Sequence, residues 1–298
     1  MSTQVQSITA AAAGAITLGG EVTVNRLGFG AMRLTGPGIW GPPKDHNAAI
    51  AVLRRAVELG VNFIDTADSY GPAVSEELIA EALYPYPQDV AIATKGGWNR
   101  PGPGQWTHDS SPKHLREAIE GSLKRLRLDR IALYQLHTPD PAISFDASVQ
   151  ALADLQAEGK IQLIGLSNVT REHIERARKI TQIVSVQNRY SVFDREWEPV
   201  VDYCEQNRIA FIPWFPLGAG GVGHDVLARI AQAHHAKPIQ IAGAWLLQRS
   251  PAMLPIPGTS SVEHLEENIA AAAIRLTEEE FGQLNAVNGK TAAGKVRG

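Results

Sequence analysis

The chain of 298 residues is 44% hydrophobic and 20% charged, with a formal net charge of −3, which is the make-up of an ordinary globular protein. That balance excludes a disordered chain, carries no electrostatic footprint for nucleic acid, and contains no apolar stretch approaching a membrane span. A single cysteine, Cys204, excludes an intrachain disulfide and a cysteine-rich metal site; it reads as a structural thiol on a helix in a reducing, cytoplasmic setting.

Residues 1–14 include ITAAAAGAI with no preceding Lys or Arg, and read as a disordered start rather than a secretory signal. AITL and EVTV then flank Gly19-Gly20, a two-residue spacer that predicts a hairpin. Eight apolar runs follow: LGFGAM (27–32), VNFID (61–65), VAIATK (90–95), IALYQLH (131–137), IQLIGLS (161–167), IVSVQ (183–187), IAFIPW (209–214) and MLPIP (253–257). Amphipathic segments alternate with them, such as HNAAIAVLRRAVELG, where Ile50, Leu53 and Val57 share a face and Gly60 ends the helix. The basic run KRLRLDR (124–130) reads as a solvated helix end, and residues 289–298 as a mobile tail. Strand–helix units over 15–288 without a linker predict an α/β fold: a single-domain (β/α)8 TIM barrel with an N-terminal β-hairpin. A doubly wound open sheet is the alternative, and strands apolar throughout favour closure.

A barrel builds its active site at the C-terminal ends of its strands. Those ends are Asp65, Lys95, His137, Ser167 with Asn168, Gln187 and Trp214. A carboxylate at a strand mouth needs a cation, and Lys95 ends the neighbouring run. Tyr70 follows Asp65 by five residues. A phenol is a weak acid, but a nearby ammonium favours phenolate and lowers its pKa, so Tyr, Lys and a carboxylate holding the Lys make a proton-delivery device, with His137 orienting the same substrate oxygen.

FIDTADSYG, IATKGG, LYQLHTP, IGLSNVT, VQNRYS and WFPLG, in that order, resemble the aldo-keto reductases from the hairpin to residue 288. The resemblance implies a catalytic tetrad of Asp65, Tyr70, Lys95 and His137, with Tyr70 protonating a carbonyl oxygen as hydride arrives from a reduced nicotinamide. It also implies that Ser167, Asn168 and Gln187 hold the carboxamide and that Trp214 stacks on the nicotinamide ring. The run GAGGVG (218–223) fits a dinucleotide fingerprint, but no acidic residue occurs in 226–262, so it reads as a loop in which Leu217 and Gly218 contact pyrophosphate. IPGTSSVEHLEEN (256–268) matches the adenosine 2′-phosphate region, with Ser260, Ser261 as N-cap, Glu267 and Asn268. Gly258 and His264 stand there where relatives carry Lys and Arg. NADPH is the expected cofactor and NADH the alternative.

GFGAMRLTGPGIWGPP, EALYPYP and AWLLQRSP resemble a bacterial branch that includes pyridoxal reductases, implying reduction of pyridoxal to pyridoxine. Trp40 and Trp98, with Trp106, stand in the predicted first and third loops, where they line a pocket or simply pack. No cluster of basic residues appears in those loops, which favours a free aldehyde over a phosphorylated one. The expected partner is a small carbonyl compound, with neither nucleic acid, membrane nor metal, and the expected state a monomer or weak homo-oligomer. Two other readings stand: a cofactor-binding regulatory module like the family's channel β-subunits, and a Schiff-base enzyme using Lys95. Asp65 opposes the second, because it favours the charged amine.

Overall fold

A computed structural model describes residues 8–216 and 225–287. The hairpin is formed by β1 (Ala15–Leu18) and β2 (Val22–Asn25). The parallel strands are β3 (Phe29–Gly30), β4 (Phe63–Asp65), β5 (Ala91–Gly96), β8 (Ile131–Leu136), β9 (Ile161–Ser167), β10 (Ser185–Gln187) and β11 (Ala210–Phe211). A small ribbon, β6 (Trp98–Asn99) with β7 (Thr107–His108), interrupts them. The parallel sheet has the order β11-β10-β9-β8-β5-β4-β3.

The eighth run, 253–257, forms no regular strand, because Pro255 and Pro257 have no N–H to give a ladder. It still closes the ring. Leu254 N donates to Phe211 O at 2.9 Å on one side, and Gly28 N donates to Pro255 O at 2.9 Å on the other.

Helices α1 (His46–Glu58), α2 (Val74–Leu83), α3 (Pro112–Leu126), α4 (Phe145–Ala157), α5 (Arg171–Ala177) and α6 (Glu198–Gln206) cover the sheet, one after each strand. Between β11 and the closing segment there are two, α7 (Asp225–Ala233) and α8 (Pro238–Arg249); α9 (Val262–Ala270) and α10 (Glu278–Ala286) follow it. Helix α1 starts where the Asp45 side chain accepts from Ala48 N, and stops before Gly60 at φ 78°.

Strand alternation sorts the core into an interior and a jacket. Phe63, Ala91, Ala93, Leu133, Leu163, Ala210, Ile212, Leu254 and Ile256 form one buried cluster inside the ring. Their neighbours Ile64 and Ile92, or Tyr134, Leu136, Ile164, Leu166 and Phe211, pack in clusters under the helices. Leu18 and Val24 of the hairpin belong to the interior cluster, so the hairpin plugs the end of the barrel opposite the site.

Three expectations are corrected. The hairpin loop has three residues, since β2 begins at Val22 and Glu21 N returns to Leu18 O at 3.0 Å, with Gly19 and Gly20 both at positive φ. Ala10–Ala13, assigned from sequence to a disordered start, form a 3-10 turn with Ala10 fully buried and its N–H on Leu59 O at 2.8 Å. Arg125, in the run read as solvated, pairs with the buried Glu76 at 2.6 Å. Residues 1–7 and the tail from 288 lie outside the described residues.

Candidate active site

The inward faces of β4, β5, β8, β9 and β10 each carry polar side chains in their last layer. On β5, Ala91, Ala93 and Lys95 share that face; Leu133, Gln135 and His137 share it on β8 and its extension; Leu163, Gly165 and Ser167 share it on β9. The small Ala93 and Gly165 leave room for the long Lys95 and Gln135. A Cβ on Gly165 would meet Gln135 Cγ at 3.0 Å and Ser185 Oγ at 2.2 Å.

Lys95 is fully buried, and its Nζ donates to Asp65 Oδ2 at 2.6 Å and to Thr66 O at 2.7 Å. Asp65 Oδ1 accepts from Gln135 Nε2 at 3.0 Å and Gln187 Nε2 at 2.9 Å. Burial opposes the charged Lys95, but Asp65 and Tyr70 outweigh it and hold the amine above its ordinary pKa. A protonated Lys95 is no Schiff-base nucleophile, and the structure sides with Asp65 on that point.

Lys95 Nζ sits 5.2 Å from the centroid of the Tyr70 ring. The expected lowering of the Tyr70 pKa is corrected: burial dominates, the Lys95 charge only partly offsets it, and the net shift is upward. Tyr70 is therefore a protonated phenol at neutral pH, suited to giving a proton. The ring of His137 meets it edge-on at 5.8 Å, with Nδ1 3.4 Å from Ser69 Oγ. Burial and the Lys95 charge keep His137 well below its usual pKa, so it is neutral.

Next along the rim, Ser167 Oγ donates to Gln187 O at 2.8 Å, and Asn168 Nδ2 donates to His137 O at 3.0 Å. Trp214 Nε1 donates to Asn168 Oδ1 at 3.0 Å. Asn168 holds φ at 56°, a left-handed backbone that asparagine tolerates better than most residues. These hydroxyl and amide groups lie in one arc beside His137, the donor and acceptor set that a carboxamide requires.

The aromatic residues gather in the loops after β3 and β5. Trp98 meets His137 edge-on at 6.4 Å and Trp106 at 5.8 Å. Trp40 pairs through its backbone with Gly71, next to Tyr70, and its neighbour Gly41 donates to Gly71 O at 2.6 Å. Arg100 stacks 3.7 Å over Trp106 and 5.5 Å from Trp40. Its guanidinium donates to Gly38, Ile39, Ser69 and Gln105 carbonyls at 2.8–3.1 Å, tying three loops together.

At the start of α9 the Ser261 side chain accepts from His264 N, as its predicted N-cap role requires. Ser260 and His264 are exposed and Asn268 is buried, while Glu267 is held by Lys237. Leu217 and Gly218 lie outside the described residues. Among the described residues no three His, Cys, Asp or Glu side chains gather as metal ligands, and no helix is long and apolar enough to cross a membrane. The reading from sequence missed Gln135 and Arg100. Gln135 had a signal, two residues before His137 on the same strand face; Arg100 had none, because its partners are backbone carbonyls far apart in the chain.

The profile of the aldo/keto reductase family matches residues 26–289. The chain belongs to the aldo/keto reductase family. It is an oxidoreductase of that family, whose cofactor is NADP(H). It is 48% identical to an uncharacterised oxidoreductase of Schizosaccharomyces pombe over 281 residues, 94% of this chain and 91% of that one. It is 45% identical to pyridoxine 4-dehydrogenase of Escherichia coli, over 90% of this chain and 96% of that one. An aldo/keto reductase from Klebsiella pneumoniae in complex with NADP and acetate superposes with a TM-score of 0.78 at 26% identity, covering 91% of this reductase and 94% of that one.

Proposed function

We propose that this reductase uses NADPH to reduce an aromatic aldehyde to the alcohol, with pyridoxal as its substrate and Tyr70 as the acid. One observation carries the reading: a protonated Tyr70 beside a Lys95 fixed by Asp65, with neutral His137 against the same ring. NADPH, when bound, supplies a hydride to the carbonyl carbon.

The chain's own residues do the rest. His137 donates a hydrogen bond to the carbonyl oxygen and orients it. Tyr70 gives its hydroxyl proton to that oxygen as negative charge develops there, and the Lys95 ammonium stabilises the phenolate left behind. The balance is one hydride and one proton added across C=O, giving the alcohol and a phenolate that solvent reprotonates. Ser167, Asn168 and Gln187 are suited to hold the carboxamide and Trp214 to stack on the nicotinamide, with Ser260, Ser261, His264, Glu267 and Asn268 toward the adenosine end.

The likeness to the Escherichia coli pyridoxine 4-dehydrogenase supports pyridoxal, and Trp40, Trp98 and Trp106 supply aromatic faces for a flat ring. The test is NADPH oxidation with pyridoxal, pyridoxal 5′-phosphate and methylglyoxal, for the wild type and Tyr70→Phe. Turnover of pyridoxal that Tyr70→Phe abolishes while cofactor binding persists is expected. Tight cofactor binding without turnover of any carbonyl would shift the reading to a regulatory module.

A further inference from the structure

Arg33 and Lys44 are eleven positions apart in sequence, yet both reach a cavity of about 900 Å³ whose wall also holds Gly258, Thr259 and Ser260. The first loop holds no run of basic residues, but the fold brings these two to one wall. Both side chains belong to exposed residues, and neither pairs with an acidic side chain among the described residues. The one acid on this wall among the described residues, Asp45, spends Oδ1 on Ala48 N at 2.9 Å as the α1 cap. Two cations against this one carboxylate leave the wall with an excess of one positive charge.

Gly258 accounts for the side from which the charge comes. A Cβ there would lie 2.4 Å from Gly30 O, so no side chain fits at 258 unless the first strand moves. The same Cβ would lie 3.7 Å from Arg33 Cγ. Arg33, carried on the turn that follows β3, therefore lays its stem beside Gly258 and lines the same wall.

We propose that Arg33, seconded by Lys44, grips the 2′-phosphate of the cofactor's adenosine from the first-strand side and sets the preference for the phosphorylated nicotinamide. A guanidinium offers a phosphate two parallel hydrogen bonds, and Lys44 adds a point charge. The inference rests on the NADPH reading above.

Binding of adenosine 2′,5′-bisphosphate, adenosine 5′-monophosphate and pyridoxal 5′-phosphate, followed by calorimetry, tests it in the wild type, Arg33→Ala, Arg33→Lys and Lys44→Ala, with thermal melts to verify folding. The wild type should prefer the bisphosphate. Arg33→Ala should weaken the bisphosphate roughly tenfold or more and the monophosphate little, with Arg33→Lys between and Lys44→Ala smaller. A preference that survives Arg33→Ala overturns the assignment. So does an equal loss for both nucleotides, which would put Arg33 on the pyrophosphate, or a loss confined to pyridoxal 5′-phosphate, which would put it on a substrate phosphate. A wild type that does not discriminate the nucleotides removes the NADPH reading itself, and this inference with it.

Discussion

Lys95 Nζ lies 2.6 Å from Asp65 Oδ2, and neither side chain is more than 3% exposed. Because Asp65 Oδ1 is taken by the amides of Gln135 and Gln187, the carboxylate is fully engaged and its role is to fix the ammonium beside Tyr70. Lys95→Met leaves that carboxylate buried and uncompensated. The variant is expected to lose about 3–5 kcal/mol of stability, the usual cost of orphaning one buried ion, together with nearly all turnover. Urea unfolding and single-turnover kinetics measure the two effects. Unchanged stability would mean that water reaches Asp65.

The tetrad predicts an unusual pH profile. His137 is held well below its ordinary pKa and Tyr70 above its own, so neither changes protonation across the neutral range. For carbonyl reduction kcat/KM should stay level through about pH 6–9, then fall once the phenol begins to ionise beyond its ordinary ~10. A break near ~6.5 would show that His137 titrates in the working enzyme.

How far this was legible in the sequence depends on what each residue's partner was. Asp65, Lys95 and His137 end consecutive apolar runs, so period-two alternation and barrel closure bring them together, and they meet as expected. The sign of the Tyr70 shift was not legible: it depends on burial as well as on Lys95, and burial is a property of the closed fold. Glu76, on α2, is buried behind β5, between Thr94 at 2.5 Å and Arg125 at 2.6 Å. Nothing local marks such a pair, since its members lie 49 residues apart.

Asp68 gives a test on stability. Its Oδ1 is buried without a hydrogen-bond partner among the described residues, although the residue as a whole is partly exposed. Burial, with the charge of Glu76, pushes its pKa up to about 8. The unfolded chain gives up this proton near ~3.9 while the folded chain keeps it, so folding stability is lost as pH rises from there toward the folded value. Asp68→Asn removes that dependence. Its melting temperature should exceed the wild type's by a growing margin between pH 5 and about 8. A margin that stays constant would place the buried oxygen in contact with water.

Arg100 is a positioning residue: its guanidinium joins the loop after β3 through Gly38 and Ile39, the Tyr70 loop through Ser69, and its own loop through Gln105. Lysine has no rigid fork to serve four carbonyls, and methionine keeps only the stem, so both release the aromatic rim while leaving Lys95 and Asp65 in place. Arg100→Met should raise KM for the aldehyde and lower kcat/KM on the order of ten- to hundredfold, since small displacements of positioning groups cost that much. Arg100→Lys should recover part of the loss. The Kd for NADPH should hardly move in either variant, because Arg100 touches none of Ser167, Asn168, Gln187 or Trp214. Parallel steady-state kinetics and cofactor titration separate the two outcomes. An equal loss of cofactor and substrate affinity would mean that Arg100 supports the whole mouth of the barrel rather than its aromatic side.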